Sequence, residues 1–143
     1  MTDRDPLLAP FDVLIGTWST EATHPAFDGV VPGSATFEWL EGGHFVVLRT
    51  RNDHESFPDA ISVIGRPESG EGLVMEYFDS RGVRRTYGVS LEGGVLRSWR
   101  DHPGFDQRSC AKLAPDAFEL VYQLAETRGE WRDDLRVTYR RRA

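Results

Sequence analysis

Ala35-Thr36-Phe37-Glu38-Trp39-Leu40-Glu41-Gly42-Gly43-His44-Phe45-Val46-Val47-Leu48-Arg49-Thr50 reads as two strands and the turn between them. Ala35, Phe37 and Trp39 fall on one face while Thr36 and Glu38 fall on the other, the two-residue period of a strand with one buried face. Glu41-Gly42-Gly43 supplies the glycines that a tight turn needs for positive φ, and an apolar run resumes beyond it. The same punctuation recurs at Asp79-Ser80-Arg81-Gly82 and Glu92-Gly93-Gly94. Working outward from these turns, the spacing predicts ten strands, over 17–24, 34–40, 44–51, 60–66, 72–78, 83–90, 95–100, 107–113, 117–124 and 131–140. Only the start has helical spacing, at Leu7, Leu8, Phe11, Leu14 and Ile15; Pro10 limits that helix to about a turn and Gly16 ends it. A meander of consecutive antiparallel strands removes its exposed edges by closing. The predicted fold is all-β: a single up-and-down antiparallel β-barrel of about ten strands, with a short N-terminal helix at its closed end.

The 143 residues suffice for one core, so residues 1–143 are expected to form one domain. Acidic residues outnumber basic ones 23 to 17, for a net charge of -6, which argues against nucleic acid or an anionic membrane as the partner. The runs Arg84-Arg85 and Arg140-Arg141-Arg142 are too short to reverse that balance. Cys110 is the single cysteine, so no intrachain disulfide forms and a reducing, cytoplasmic setting is expected. It is read as a small, buried, unreactive residue. After Met1 to Asp5 no apolar run is long enough for a signal peptide or a span. The outer faces of a barrel leave room for a homodimer.

Three times a histidine precedes a phenylalanine by three positions: His24-Pro-Ala-Phe27, His54-Glu-Ser-Phe57 and His102-Pro-Gly-Phe105. In an up-and-down barrel the odd connections share one end, which places all three copies, with the Asp79 turn, at one mouth. The even connections are short turns without comparable chemistry. Three imidazoles beside Asp53, Asp79 or Asp101 have the ligand types of a zinc or non-haem iron site, although no close two-ligand motif accompanies them. One alternative is a repeated packing solution, with Phe27, Phe57 and Phe105 plugging the rim and each histidine satisfying loop carbonyls; another, from their shared end, is a polar and aromatic mouth to a ligand cavity. Asp53-His54 and Asp101-His102 also admit acid or base work, but neighbouring strand residues point to opposite faces. Leu73, Met75 and Tyr77 form a second inward face. Arg49 shares a face with Phe45 and Val47, and Arg97 with Val95 and Trp99, so alternation leaves both arginines open to either side. Trp131 and Tyr139 fit the outer packing equally well.

Phe11-Asp12-Val13-Leu14-Ile15-Gly16-Thr17-Trp18 resembles the opening of the calycin superfamily, the lipocalin and fatty-acid-binding barrels. Phe37 to Gly43 and Tyr77 to Gly82 are similar to uncharacterised bacterial nitrobindin-like barrels. The resemblance implies that Trp18 packs at the closed base and that a ligand cavity opens at the opposite end. Nitrobindin-like proteins hold haem through a histidine late in the chain. Here no histidine follows His102, and Glu130-Trp131-Arg132-Asp133-Asp134-Leu135 offers no comparable axial ligand. No cofactor is therefore expected, with haem or a divalent metal as the alternative. The expected function is binding of a hydrophobic or aromatic small molecule by His24, Phe27, Trp39, Arg49, His54, Phe57, Tyr77, Asp79, His102 and Phe105. The competing expectation is an isomerase, cyclase or hydrolase that uses a mouth histidine or a bound metal.

Overall fold

The computed structural model describes residues 4–142, so of the acidic start Met1–Asp5 only Arg4 and Asp5 are described. A 3-10 helix, Ala9–Leu14, precedes ten strands. These are β1 (Gly16–His24), β2 (Phe27–Trp39), β3 (Phe45–Asn52), β4 (Ala60–Gly65) and β5 (Leu73–Asp79), then β6 (Arg84–Glu92), β7 (Val95–Arg100), β8 (Asp106–Lys112), β9 (Ala117–Ala125) and β10 (Arg132–Arg141). Each strand pairs antiparallel with the next, and β10 returns to β1, so the sheet is a closed up-and-down barrel. No helix among the described residues is long and apolar enough to cross a membrane.

The inward faces follow the alternation expected for β2 and β5: Ala35 and Phe37 are buried, and Met75 and Tyr77 face the interior. The expected strand boundaries agree with the observed ones to within two residues, except at β2, which begins at Phe27 rather than at residue 34. The run Asp28-Gly29-Val30-Val31-Pro32-Gly33 has loop composition. It nevertheless pairs with β1 on one side, where Ala22 faces Val31 and Glu21 faces Pro32. On its other side β3 begins to pair only at Gly33, opposite Asn52. Pro32 thus sits just past the last β2–β3 rung, where its carbonyl still accepts the Asp53 N–H at 2.9 Å and its missing N–H interrupts no ladder. The first connection is consequently a two-residue hairpin, Pro25-Ala26, and not a long loop.

The closed end is built around Trp18. Leu8, Phe11 and Leu14 of the helical segment are buried beneath the barrel, and the Trp18 indole N–H donates to the Leu14 carbonyl at 2.8 Å. Trp18 meets Phe118 edge-on at 5.1 Å and Tyr139 at 6.3 Å. The Arg141 guanidinium lies 4.2 Å over the Trp18 ring and donates to the Ile15 carbonyl at 2.9 Å and to that of Val13. Trp18 and Arg141 are also register partners across the β1–β10 seam. Trp39 belongs to this end too. Its N–H donates to Asp12 at 3.1 Å and its ring lies under Arg4 at 4.6 Å.

Two local devices shape the sheet. Gly93 and Gly94, with φ of 58° and 77°, form the β6–β7 hairpin turn, whose two positive φ angles glycine adopts at no steric cost. On the outer face, the half-exposed Trp99 lies directly over Gly88, where an added Cβ would come within 2.3 Å of the indole.

Candidate functional site

The odd connections gather at the end opposite Trp18, and the three HxxF segments are turns there. His54 begins one whose Phe57 N–H returns to the His54 carbonyl at 3.0 Å; the Phe105 N–H returns to His102 at 2.7 Å. His24 and His54 also accept, through Nδ1, the backbone N–H two residues on, at 3.0 Å in both cases. An imidazole thus does for these turns what an Asn or Asp side chain does in an Asx turn. Phe27, His54 and Phe57 then pack edge-to-face, with centroids 4.7 to 5.7 Å apart. The third copy goes elsewhere. His102 is exposed, and Phe105 lies under the Arg85 guanidinium at 5.2 Å.

Inside this end lies a cavity of about 540 Å³, within the roughly 300–1,000 Å³ usual for small-molecule sites. Of the ten expected site residues, His24, Phe27, Phe57 and Tyr77 stand on its wall. His54 packs behind the two phenylalanines, and Asp79 supports Tyr77 from the turn beyond. Trp39 is at the wrong end: the alternation assigned its face correctly, but its position along β2 puts it beneath the barrel. Arg49 points outward to Glu38 at 3.3 Å, and Arg97 is exposed, because each shares the solvent face of its strand. Cys110, on the outer face of β8, is half-buried rather than buried. A broader depression of about 970 Å³ lies outside the barrel against the closed-end turns and involves none of the mouth residues.

The wall includes groups that the reading of the sequence did not single out. All four tyrosines of the chain, Tyr77, Tyr87, Tyr122 and Tyr139, line the cavity. The same four rings wall a deeper chamber of about 120 Å³, closed below by Phe11 and Phe118. Tyr139 lies against Phe118 with its ring stacked at 4.6 Å, so it belongs to the interior and not to the outer packing. Trp131 is the outer one, with Arg108 over it at 4.0 Å. Tyr77 donates to Asp79 at 2.7 Å, and Tyr87 to Gln107 at 3.2 Å. The Tyr122 and Tyr139 hydroxyls have no hydrogen-bond partner among the described residues and open onto the cavity. Burial pushes the Tyr139 phenol up to about 12 and raises that of Tyr122 well above its ordinary value. Both are neutral donors at physiological pH.

Charge is confined to the mouth. His24 accepts the Ala26 N–H at Nδ1, so Nε2 carries the proton and donates to Asp134 at 2.8 Å. Asp134 reaches this position because the β9–β10 register slips between Asp133 and Arg136, a bulge that re-aims its side chain. Asp79 is fully shielded and is bonded by the Arg81 guanidinium at 2.7 Å, by Tyr77, and by the N–H groups of Arg81 and Val83. Burial alone would raise its carboxyl pKa; these hydrogen bonds, led by Arg81, outweigh it and hold the pKa far below the usual range. The same turn, after burial itself, raises the Tyr77 phenol.

The three imidazoles of the HxxF turns do not converge, and no three His, Cys, Asp or Glu side chains gather as a metal set among the described residues. His24, the imidazole on the wall, has both ring nitrogens engaged, and His102 lies off it.

No family model and no curated protein matches the chain by sequence. Among solved structures the chain is similar to Rv2717c from M. tuberculosis, with a TM-score of 0.66 and 14% identity over 99% of this chain and 100% of that one. At that identity the likeness shows the fold alone, a ten-stranded antiparallel barrel.

Proposed function

We propose that this barrel is a small-molecule-binding protein that takes a hydrophobic or aromatic ligand through its HxxF end. The observation that carries the reading is the cavity itself, of about 540 Å³, walled by Phe27, Phe57 and four tyrosines and holding hydroxyls without protein partners. An apolar wall with a few convergent polar groups is what a ligand site needs. A barrel filled by its own side chains would leave no such space. We further infer a calycin-like barrel of the nitrobindin-like kind, supported by Gly16-Thr17-Trp18 at the base and by the likeness in fold. The enzyme alternative gains little support, since the histidine on the wall has both nitrogens occupied.

The neutral fluorophore 1-aminoanthracene tests the reading. Its emission is expected to rise on binding, and Phe57→Ala to weaken affinity about tenfold through lost apolar contact, with an unchanged far-UV spectrum. His102→Ala, off the wall, leaves affinity unchanged. A Phe57→Ala protein that binds as tightly as the native one would sink the site assignment.

A further inference from the structure

The mouth is not electrically even. On its β5–β6 side Arg81 and Arg85 stand near Asp79, which Arg81 already occupies, and Asp101, which borders an outer depression with Arg85 but makes no ion pair with it. Arg85 is half-buried on the cavity wall, lies over Phe105, and makes no ion pair with any described residue. Its neighbour Arg84 points outward onto Phe78 at 5.3 Å. A guanidinium drawn into a cavity without a counter-ion, in a chain of net charge -6, is placed to receive an anion. Across the barrel Asp134 is the carboxylate of the wall, and it is taken up by His24. Deeper in, beyond Gln107, the polar groups are hydroxyls: Thr20, Thr50, Tyr122 and Tyr139. Tyr139 is only 3% exposed, and its hydroxyl and that of Tyr122 lack partners. Both hydroxyls face the open space of the cavity and not a protein acceptor, so a ligand that displaces solvent there must offer them an acceptor of its own.

We propose that the cavity takes a flat aromatic carboxylate bearing a neutral oxygen at its far end, with the carboxylate on Arg85 at the mouth and the far oxygen on the hydroxyls of Tyr122 and Tyr139. The proposal rests on the ligand-binding reading above and specifies its chemistry. Three fluorescent probes separate its two ends: 6-hydroxy-2-naphthoate, its methyl ester, and 2-naphthoate. The acid is expected to bind at least about tenfold more tightly than the ester, the effect of one charge-assisted contact. Arg85→Gln abolishes that gap, whereas Arg84→Gln preserves it. The double variant Tyr122→Phe/Tyr139→Phe keeps both rings and brings 6-hydroxy-2-naphthoate down to the affinity of 2-naphthoate. Equal affinities for acid and ester, or a gap that survives Arg85→Gln, overturn the anion assignment. A preference for the hydroxyl that survives loss of both phenols overturns the inner one. If all three probes fail while Phe57-dependent binding of 1-aminoanthracene persists, the ligand class is wrong and the cavity reading stands; if that also fails, both fall.

Discussion

Asp79 shows how one residue fixes the mouth from outside the wall. It orients Tyr77, anchors Arg81 and closes the β5–β6 turn through two backbone N–H groups. Its folded pKa lies below the unfolded value of about 4. The stability it contributes is therefore fully present above that value and is lost as pH falls toward the folded one. Asp79→Asn is expected to be less stable than the native protein at pH 7 and to show a flatter loss of stability below about pH 4, by urea unfolding across that range. Parallel pH profiles would remove Asp79 as the source. Arg85 was legible at this scale and was missed: Tyr87, Val89 and Leu91 mark the inward face of β6, and Arg85 stands on that same face one step nearer the mouth.

At the scale of the element, β6 and β7 are held by a glycine under a tryptophan. The Trp99 ring covers Gly88 from the solvent side, and the space between them admits no further carbon. Gly88→Val is expected to lower stability by about 1–3 kcal/mol, the range for overpacking, measured by urea denaturation. Combining it with Trp99→Ala, which frees the space, restores some of that loss; strictly additive losses would mean that the two side chains do not meet. Most strands were legible because turn glycines and alternation agree on their ends. β2 was not, since residues 28–33 have the composition of a loop, and the stretch before Gly33 is held in the sheet by its ladder with β1 alone. Asp134 was hidden by the β10 bulge, which breaks the count that alternation relies on.

For the whole molecule, strand parity brought the three HxxF turns to one rim, because the fold is a strict meander and every odd turn returns to the same end. Parity also puts Trp39, beside the even β2–β3 turn, at the closed end, a consequence not drawn when it was counted with the mouth residues. Parity says nothing of depth, which is why the convergence of the four tyrosines from β5, β6, β9 and β10 was not foreseen. Closure is the most non-local step in the fold: Arg141 donates to the Val13 carbonyl across 128 residues. Barrels dominated by such contacts fold in roughly milliseconds to seconds, so stopped-flow refolding followed by tryptophan fluorescence is expected to show its main phase in that range. A main phase in microseconds would contradict seam closure as the limiting event. The seam also sets how the barrel bears load. Trp18 and Arg141 form the rung at one extremity of the β1–β10 ladder, so tension applied at those two positions draws the strands apart sideways instead of sliding them past one another. The rungs then open in succession at low force, and the guanidinium over the indole is the first fastening to give.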